Sequence, residues 1–122
     1  NPTSMAAALR TAGEIAGERR LVLVLGDMLE LGDLARDAHW QVGKQAAELH
    51  PAYLITVGPL AQEYGKGAQA AGLDGARIEY CLDLEEAQDA VLQLTRPGDV
   101  ILVKGSRGLA LEHVVESLCA RL

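Results

Sequence analysis

Cysteine is scarce in this chain, cations are outnumbered, and no apolar run is long; each shortage removes a class of function. The two cysteines, Cys81 and Cys119, stand far apart and outside any metal-ligand spacing. Free thiols in a reducing cytoplasm are therefore expected, with no metal site in this domain. Lys and Arg number 11 against 17 Asp and Glu, a formal charge of -6. Nucleic acid and anionic membranes both require clustered cations, so neither is expected as a partner. No apolar run approaches the roughly 20 residues that span a bilayer, and no signal-peptide pattern opens the chain. A G-x-x-x-x-G-K-[ST] phosphate loop is missing too. Gly65-Lys66-Gly67 and Gly72 fall inside a helix pattern rather than after a strand, which is the wrong place for a dinucleotide fingerprint. There is no Ser-His-Asp arrangement and no internal repeat. The chain reads as a domain that binds, without a complete catalytic apparatus.

What is present is a regular alternation. The 122 residues, 49% apolar, suit one domain with its own core. A helix starts at once, capped by Asn1 or Thr3 with Pro2 in its first turn, and buries Met5, Ala8, Leu9, Ala12, Ile15 and Ala16. Because it opens on Asn-Pro rather than Met, the chain is expected to be part of something longer. Strand one, Leu21–Leu25, is five apolar residues in a row, as in a strand covered on both faces. A loop from Gly26 to Gly32 leads to Asp33 as the cap of a second helix reaching about Leu49. That helix turns Ala35, His39, Val42, Ala46 and Leu49 inward and Trp40, with Gly43 and Ala47, outward toward a partner. Strand two is Ala52–Val57, and helix three runs from about Leu60 to Ala71. Strand three, Ala76–Cys81, alternates charged and apolar residues like a strand near an edge. Asp83 caps helix four, which buries Leu84, Ala87, Val91 and Leu94. The turn Arg96–Asp99 precedes strand four, Val100–Val103, and a fifth helix follows with Leu111, Val114, Val115 and Leu118 inward. Strands alternating with helices call for right-handed crossovers. The expected fold class is α/β: a doubly wound, mainly parallel Rossmann-like sheet in order 3-2-1-4, its most apolar strands, one and four, central.

That order places the topological switch between strands one and four, and ligands of open α/β sheets bind outside the carboxyl ends of the strands. Strand one ends in Gly26-Asp27 and strand four in Lys104-Gly105-Ser106-Arg107-Gly108. A Gly-Asp pair is also an ordinary turn. At this position, with Glu30 close behind, Asp27 suits a substrate ammonium, a ribose hydroxyl or a metal-bound water. The second loop is the more specific signal. Glycines let backbone approach a ligand, and amides opening a helix accept an anion. Lys104 and Arg107 at a helix start oppose the helix dipole, a local cost that a bound anion relieves. His39, on an apolar helix face, reads as a packed, hydrogen-bonded residue; His50 and His113 read as surface.

Three stretches resemble the C-terminal domain of the Mur ligases. Asn1-Pro2-Thr3-Ser4-Met5 is similar to the end of the motif that enters this domain from the central ATPase domain. Leu25–Gly32 and Val103–Gly108 resemble the loop signatures of the member that adds D-alanyl-D-alanine to UDP-N-acetylmuramoyl-tripeptide, and His39 with Gly43 matches a His-x-x-x-Gly of the same member. The resemblance covers essentially the whole chain. It implies a monomeric bacterial cytoplasmic enzyme of peptidoglycan synthesis that uses ATP and Mg2+ to form an acyl phosphate, which the dipeptide amine attacks. It further implies that the absent N-terminal and central domains hold the UDP end, the phosphates and the metal, while this domain closes the cleft. The isolated domain then ligates nothing. Substrate or nucleotide contacts are expected at Asn1, Asp27, Lys104, Ser106 and Arg107, loop shaping at Gly26, Gly105 and Gly108, and support from behind at Glu30 and His39. Rival readings are another Mur-type or polyglutamate-type ligase, a non-catalytic α/β binding module, and a receiver-like module. The last wants an acceptor Asp in mid-sheet, where strand two instead ends in Gly58-Pro59.

Overall fold

The alternating pattern folds as an open parallel sheet in a computed structural model that describes residues 1–105. The elements are α1 (Pro2–Ala16), β1 (Leu21–Gly26), α2 (Ala35–Ala47), β2 (Tyr53–Val57), α3 (Gln62–Ala70), β3 (Ile78–Cys81), α4 (Leu84–Leu94) and β4 (Val100–Lys104). The strand order is β3-β2-β1-β4, and every pairing is parallel, as expected. The expected fifth helix, with His113 and Cys119, falls outside the described residues, as do Ser106, Arg107 and Gly108.

All six residues of β1 are buried, because its two faces feed two cores. Leu21, Leu23 and Leu25 pack with Met5 and Leu9 of α1, Val42 of α2 and Tyr64 of α3. Val22 and Val24 pack with Ala87 and Val91 of α4. Asn1 caps α1, its side chain accepting from the Ser4 amide at 2.8 Å, and Asp83 caps α4 through the Glu86 amide at 2.9 Å.

Several expectations are corrected. Ile15 is 59% exposed, since the buried stripe of α1 is carried by Met5, Leu9, Ala12 and Ala16 alone. Asp33 caps nothing: Gly32, at φ +59°, opens a 3-10 turn over Gly32–Leu34 that runs directly into α2. The third strand starts at Ile78, because the Asp74 side chain accepts from the Ala76 amide and draws Gly75–Arg77 into another such turn. Among the described strands, β2 rather than β4 lies inside the row with β1, and β4 is only half-buried.

Trp40 is not a fully exposed residue either. It is half-buried because α2 and α3 cross with their backbones nearly touching. A Cβ on Gly43 would sit 2.0 Å from the Tyr64 carbonyl oxygen, and one on Gly67 at 2.0 Å from that of Trp40. Glycine on both helices closes the gap, and the face carrying Trp40 and Gly43 is covered from within the chain. The Lys44 ammonium lies 5.5 Å from the indole centre.

Candidate functional site

Strand register builds the site. Leu25 of β1 stands opposite Lys104 of the adjacent parallel β4, so Gly26-Asp27 and Lys104-Gly105 leave the sheet side by side. They do so at the switch point, since the chain proceeds from β1 outward to β2 and β3 before crossing back to β4. α1 returns to the amino end of β1 at Ala16, which puts its cap, Asn1, toward this same carboxyl end.

Three side chains from α2, α3 and the β1 loop itself fix the exit of β1. The Tyr64 hydroxyl donates to the Gly26 carbonyl at 2.9 Å. The Ala61 amide, at the start of α3, donates to Asp27 Oδ1 at 2.7 Å. The Met28 amide donates to Nε2 of His39 at 2.9 Å. Because Nε2 accepts, the ring proton resides on Nδ1, which donates to the Ala35 carbonyl. The His39 and Tyr64 rings are 4.8 Å apart, and both residues are fully buried. Burial drives the Tyr64 phenol well above its ordinary value, and the negative charge of Asp27 adds to the effect. Gly58, at φ +112°, makes room for the acid: a Cβ there would stand 2.6 Å from Asp27 Oδ1.

Past this clamp the chain emerges. Leu29 and Glu30 are exposed, and Glu30 holds a left-handed backbone at φ +63°. Lys104 and Gly105 are half-buried.

Of the residues expected to act, Asn1, Gly26, Asp27, Glu30, Lys104 and Gly105 lie at one end of the sheet, with His39 buried beneath the loop. Asp27 is 9% exposed. Sequence reasoning missed Tyr64, the Ala61 amide and Gly58 as partners of the β1 loop. A tyrosine on an inward helix stripe is the one available signal, since a buried phenol needs a polar partner. Among the described residues no group of three or more His, Cys, Asp or Glu could hold a metal ion. No described helix is long and apolar enough to cross a membrane.

Comparison with known proteins gives one consistent answer. The family model described as "Mur ligase, glutamate ligase domain" matches residues 1–107. The UDP-N-acetylmuramoyl-tripeptide–D-alanyl-D-alanine ligase of Bacillus subtilis is 35% identical over 97% of this chain and 26% of its own length. The enzyme of that name from Treponema pallidum is 38% identical over 93% of this chain and 24% of its own. Among solved structures, MurF from Acinetobacter baumannii superposes with a TM-score of 0.78 at 29% identity, covering 98% of this chain and 25% of that one. The chain thus spans about a quarter of the length of the relatives it matches.

Proposed function

Since the chain belongs to the Mur ligase C-terminal domain family, we propose that it is the cleft-closing domain of an ATP-dependent ligase adding D-alanyl-D-alanine to UDP-N-acetylmuramoyl-tripeptide. The observation that carries the reading is the Leu25–Lys104 register, by which Gly26-Asp27 and Lys104-Gly105 leave neighbouring strands at the same end of the sheet. Both loops resemble those of that member, and the named relatives bear its name.

In the whole enzyme, ATP phosphorylates the terminal carboxylate of the UDP-linked tripeptide. The dipeptide amine then attacks the acyl carbon through a tetrahedral intermediate, the amide bond forms, and phosphate leaves. Magnesium and the ATP phosphates belong to the central domain; the described residues here do not fit a metal, and no step assigned to them runs through one. Their contribution is binding and orientation. Lys104, with Ser106 and Arg107 beyond the described residues, meets the dipeptide carboxylate or a phosphate oxygen as charge-assisted hydrogen-bond donors. Gly105 and Gly108 let the backbone come close. Asn1 lies in the linker near the nucleotide. Asp27, with one oxygen on the Ala61 amide, holds the crevice wall, and His39 holds the loop behind it. The enzyme works as a monomer in the bacterial cytoplasm.

Deleting this domain from the whole enzyme tests the assignment. ATP binding is expected to survive while dipeptide-stimulated turnover disappears. A domain-less enzyme that still joins the dipeptide contradicts the reading.

A further inference from the structure

The other end of the sheet holds a cavity of about 360 Å³, lined by Arg20, Ala52, Tyr53, Asp74, Arg77 and Arg96. It opens where the strands begin, the length of β4 away from Lys104, or about 16 Å for a five-residue strand. In a chain of formal charge -6, three guanidinium groups converge there on a single lining carboxylate. The three cations are not equivalent. Arg20 is already engaged: Nε lies 3.1 Å from Asp99 Oδ1, and Nη2 donates to the Leu94 carbonyl at 3.0 Å. Its Cζ also stands 5.8 Å from the Tyr53 ring centre. Arg77 has only the Ala52 carbonyl, at 3.5 Å, the outer limit of a hydrogen bond. The Arg96 guanidinium has no hydrogen bond or ion pair among the described residues. Asp74 neutralises neither, since its Oδ1 accepts from the Ala76 amide and it joins no ion pair among the described residues.

Each cation stands on a pinned stretch of backbone. The Arg77 amide donates to the Asp74 carbonyl at 2.9 Å, closing the Gly75–Arg77 turn. Asp99, its side chain 3% exposed, takes the Arg96 amide on Oδ2 at 2.8 Å and Arg20 on Oδ1, tying those two segments together. Basic residues near helix ends commonly serve the last carbonyls. Arg20 does so for α4 at Leu94; Arg77 and Arg96 do not. Two unpaired guanidinium groups at one cavity repel each other, and an anion held between them relieves the repulsion. A carboxylate neutralises one of the two, whereas a phosphate dianion neutralises both, and the guanidinium fork matches its oxygens. The volume lies in the small-molecule range, roughly 300–1,000 Å³. We propose that this cavity binds a phosphate group, free or carried by a small organic molecule. The site is separate from the crevice between β1 and β4 and goes beyond the ligase reading.

Calorimetric titration of the whole enzyme, already saturated with ADP and the UDP-linked tripeptide, tests it with inorganic phosphate, glucose 1-phosphate and acetate. Arg77→Ala/Arg96→Ala is the variant, and both residues are exposed, so the fold survives. One phosphate-binding component of the wild type is expected to weaken roughly ten- to a hundredfold in it, as for loss of charged hydrogen bonds. Its kcat and KM values stay those of the wild type. Arg36→Ala/Lys66→Ala, which removes two cations outside the cavity, keeps the component intact. Equal affinity for the two phosphates identifies the free ion as sufficient; tighter glucose 1-phosphate identifies an organic phosphate, and both support the site. Identical isotherms for wild type and Arg77→Ala/Arg96→Ala overturn the inference. So does an equal loss in Arg36→Ala/Lys66→Ala, which marks a general charge effect, or acetate bound as tightly as phosphate.

Discussion

Met28 donates its backbone N–H to Nε2 of His39 across 11 positions of chain. Through that bond the helix after the first loop holds the loop in place. The Gly-Asp turn is therefore an exit from the sheet clamped from below, and its shape depends on side chains that do not reach the crevice.

Removing the imidazole leaves a cavity and an unpaired Met28 amide. His39→Ala is expected to cost about 3 kcal/mol of stability, measured by reversible urea unfolding. A loss under about 1 kcal/mol, the worth of a single ordinary hydrogen bond, contradicts the clamp.

Tyr64→Phe keeps the ring and removes only the bond to the Gly26 carbonyl. A loss of about 1–2 kcal/mol is expected. The pH dependence has a definite sign. The folded phenol pKa lies above the unfolded value of 10.0, so the folded state binds the proton more tightly. Stability is intact below that pH and falls as pH rises beyond it. Denaturation curves should show a shallower alkaline decline for Tyr64→Phe; identical declines contradict the account.

Cys81 follows the same logic lower on the scale. Burial first, then the carboxylates of Glu86, Glu79 and Asp83, push its thiol from 9.0 to about 11. Stability is expected to fall between those pH values, and Cys81→Ala should remove that portion of the fall. Urea midpoints of both proteins below pH 9 and near pH 11 decide it.

Gly43→Ala reverses an ordinary preference. Alanine in a helix is normally better than glycine by about 1 kcal/mol. Here the added Cβ would lie 2.0 Å from a backbone oxygen of α3, which no side-chain rotation relieves. A loss above about 3 kcal/mol is expected, read as a lowered melting temperature. A neutral or stabilising effect contradicts the close helix crossing.

Most of the fold was legible because its signals are local. Five apolar residues in β1, the helix caps at Asn1 and Asp83, and alternating elements mark a parallel sheet; the order 3-2-1-4 was read from strand hydrophobicity, and it holds although β2, not β4, lies inside with β1. Boundaries failed where backbone chemistry overrode the side-chain pattern: Gly32 and Asp74 each start a 3-10 turn where a cap or strand was expected. Trp40 failed because helical periodicity says which residues share a face, whereas a Gly43–Gly67 crossing decides what covers it. The two loops of the site were legible from their glycines and charges at strand ends. Their supports were not, since Tyr64 and the Ala61 amide meet Gly26 and Asp27 from 38 and 34 positions away. Glu30 was visible as an acid, but its left-handed backbone was not.

The most direct measurement is ATP turnover by the whole enzyme charged with UDP-N-acetylmuramoyl-tripeptide, with D-alanyl-D-alanine, L-alanine, D-glutamate or a diamino acid added separately. Turnover stimulated by the dipeptide alone is the predicted result. Stimulation by a single amino acid instead, or by none of the four, contradicts the proposed reaction.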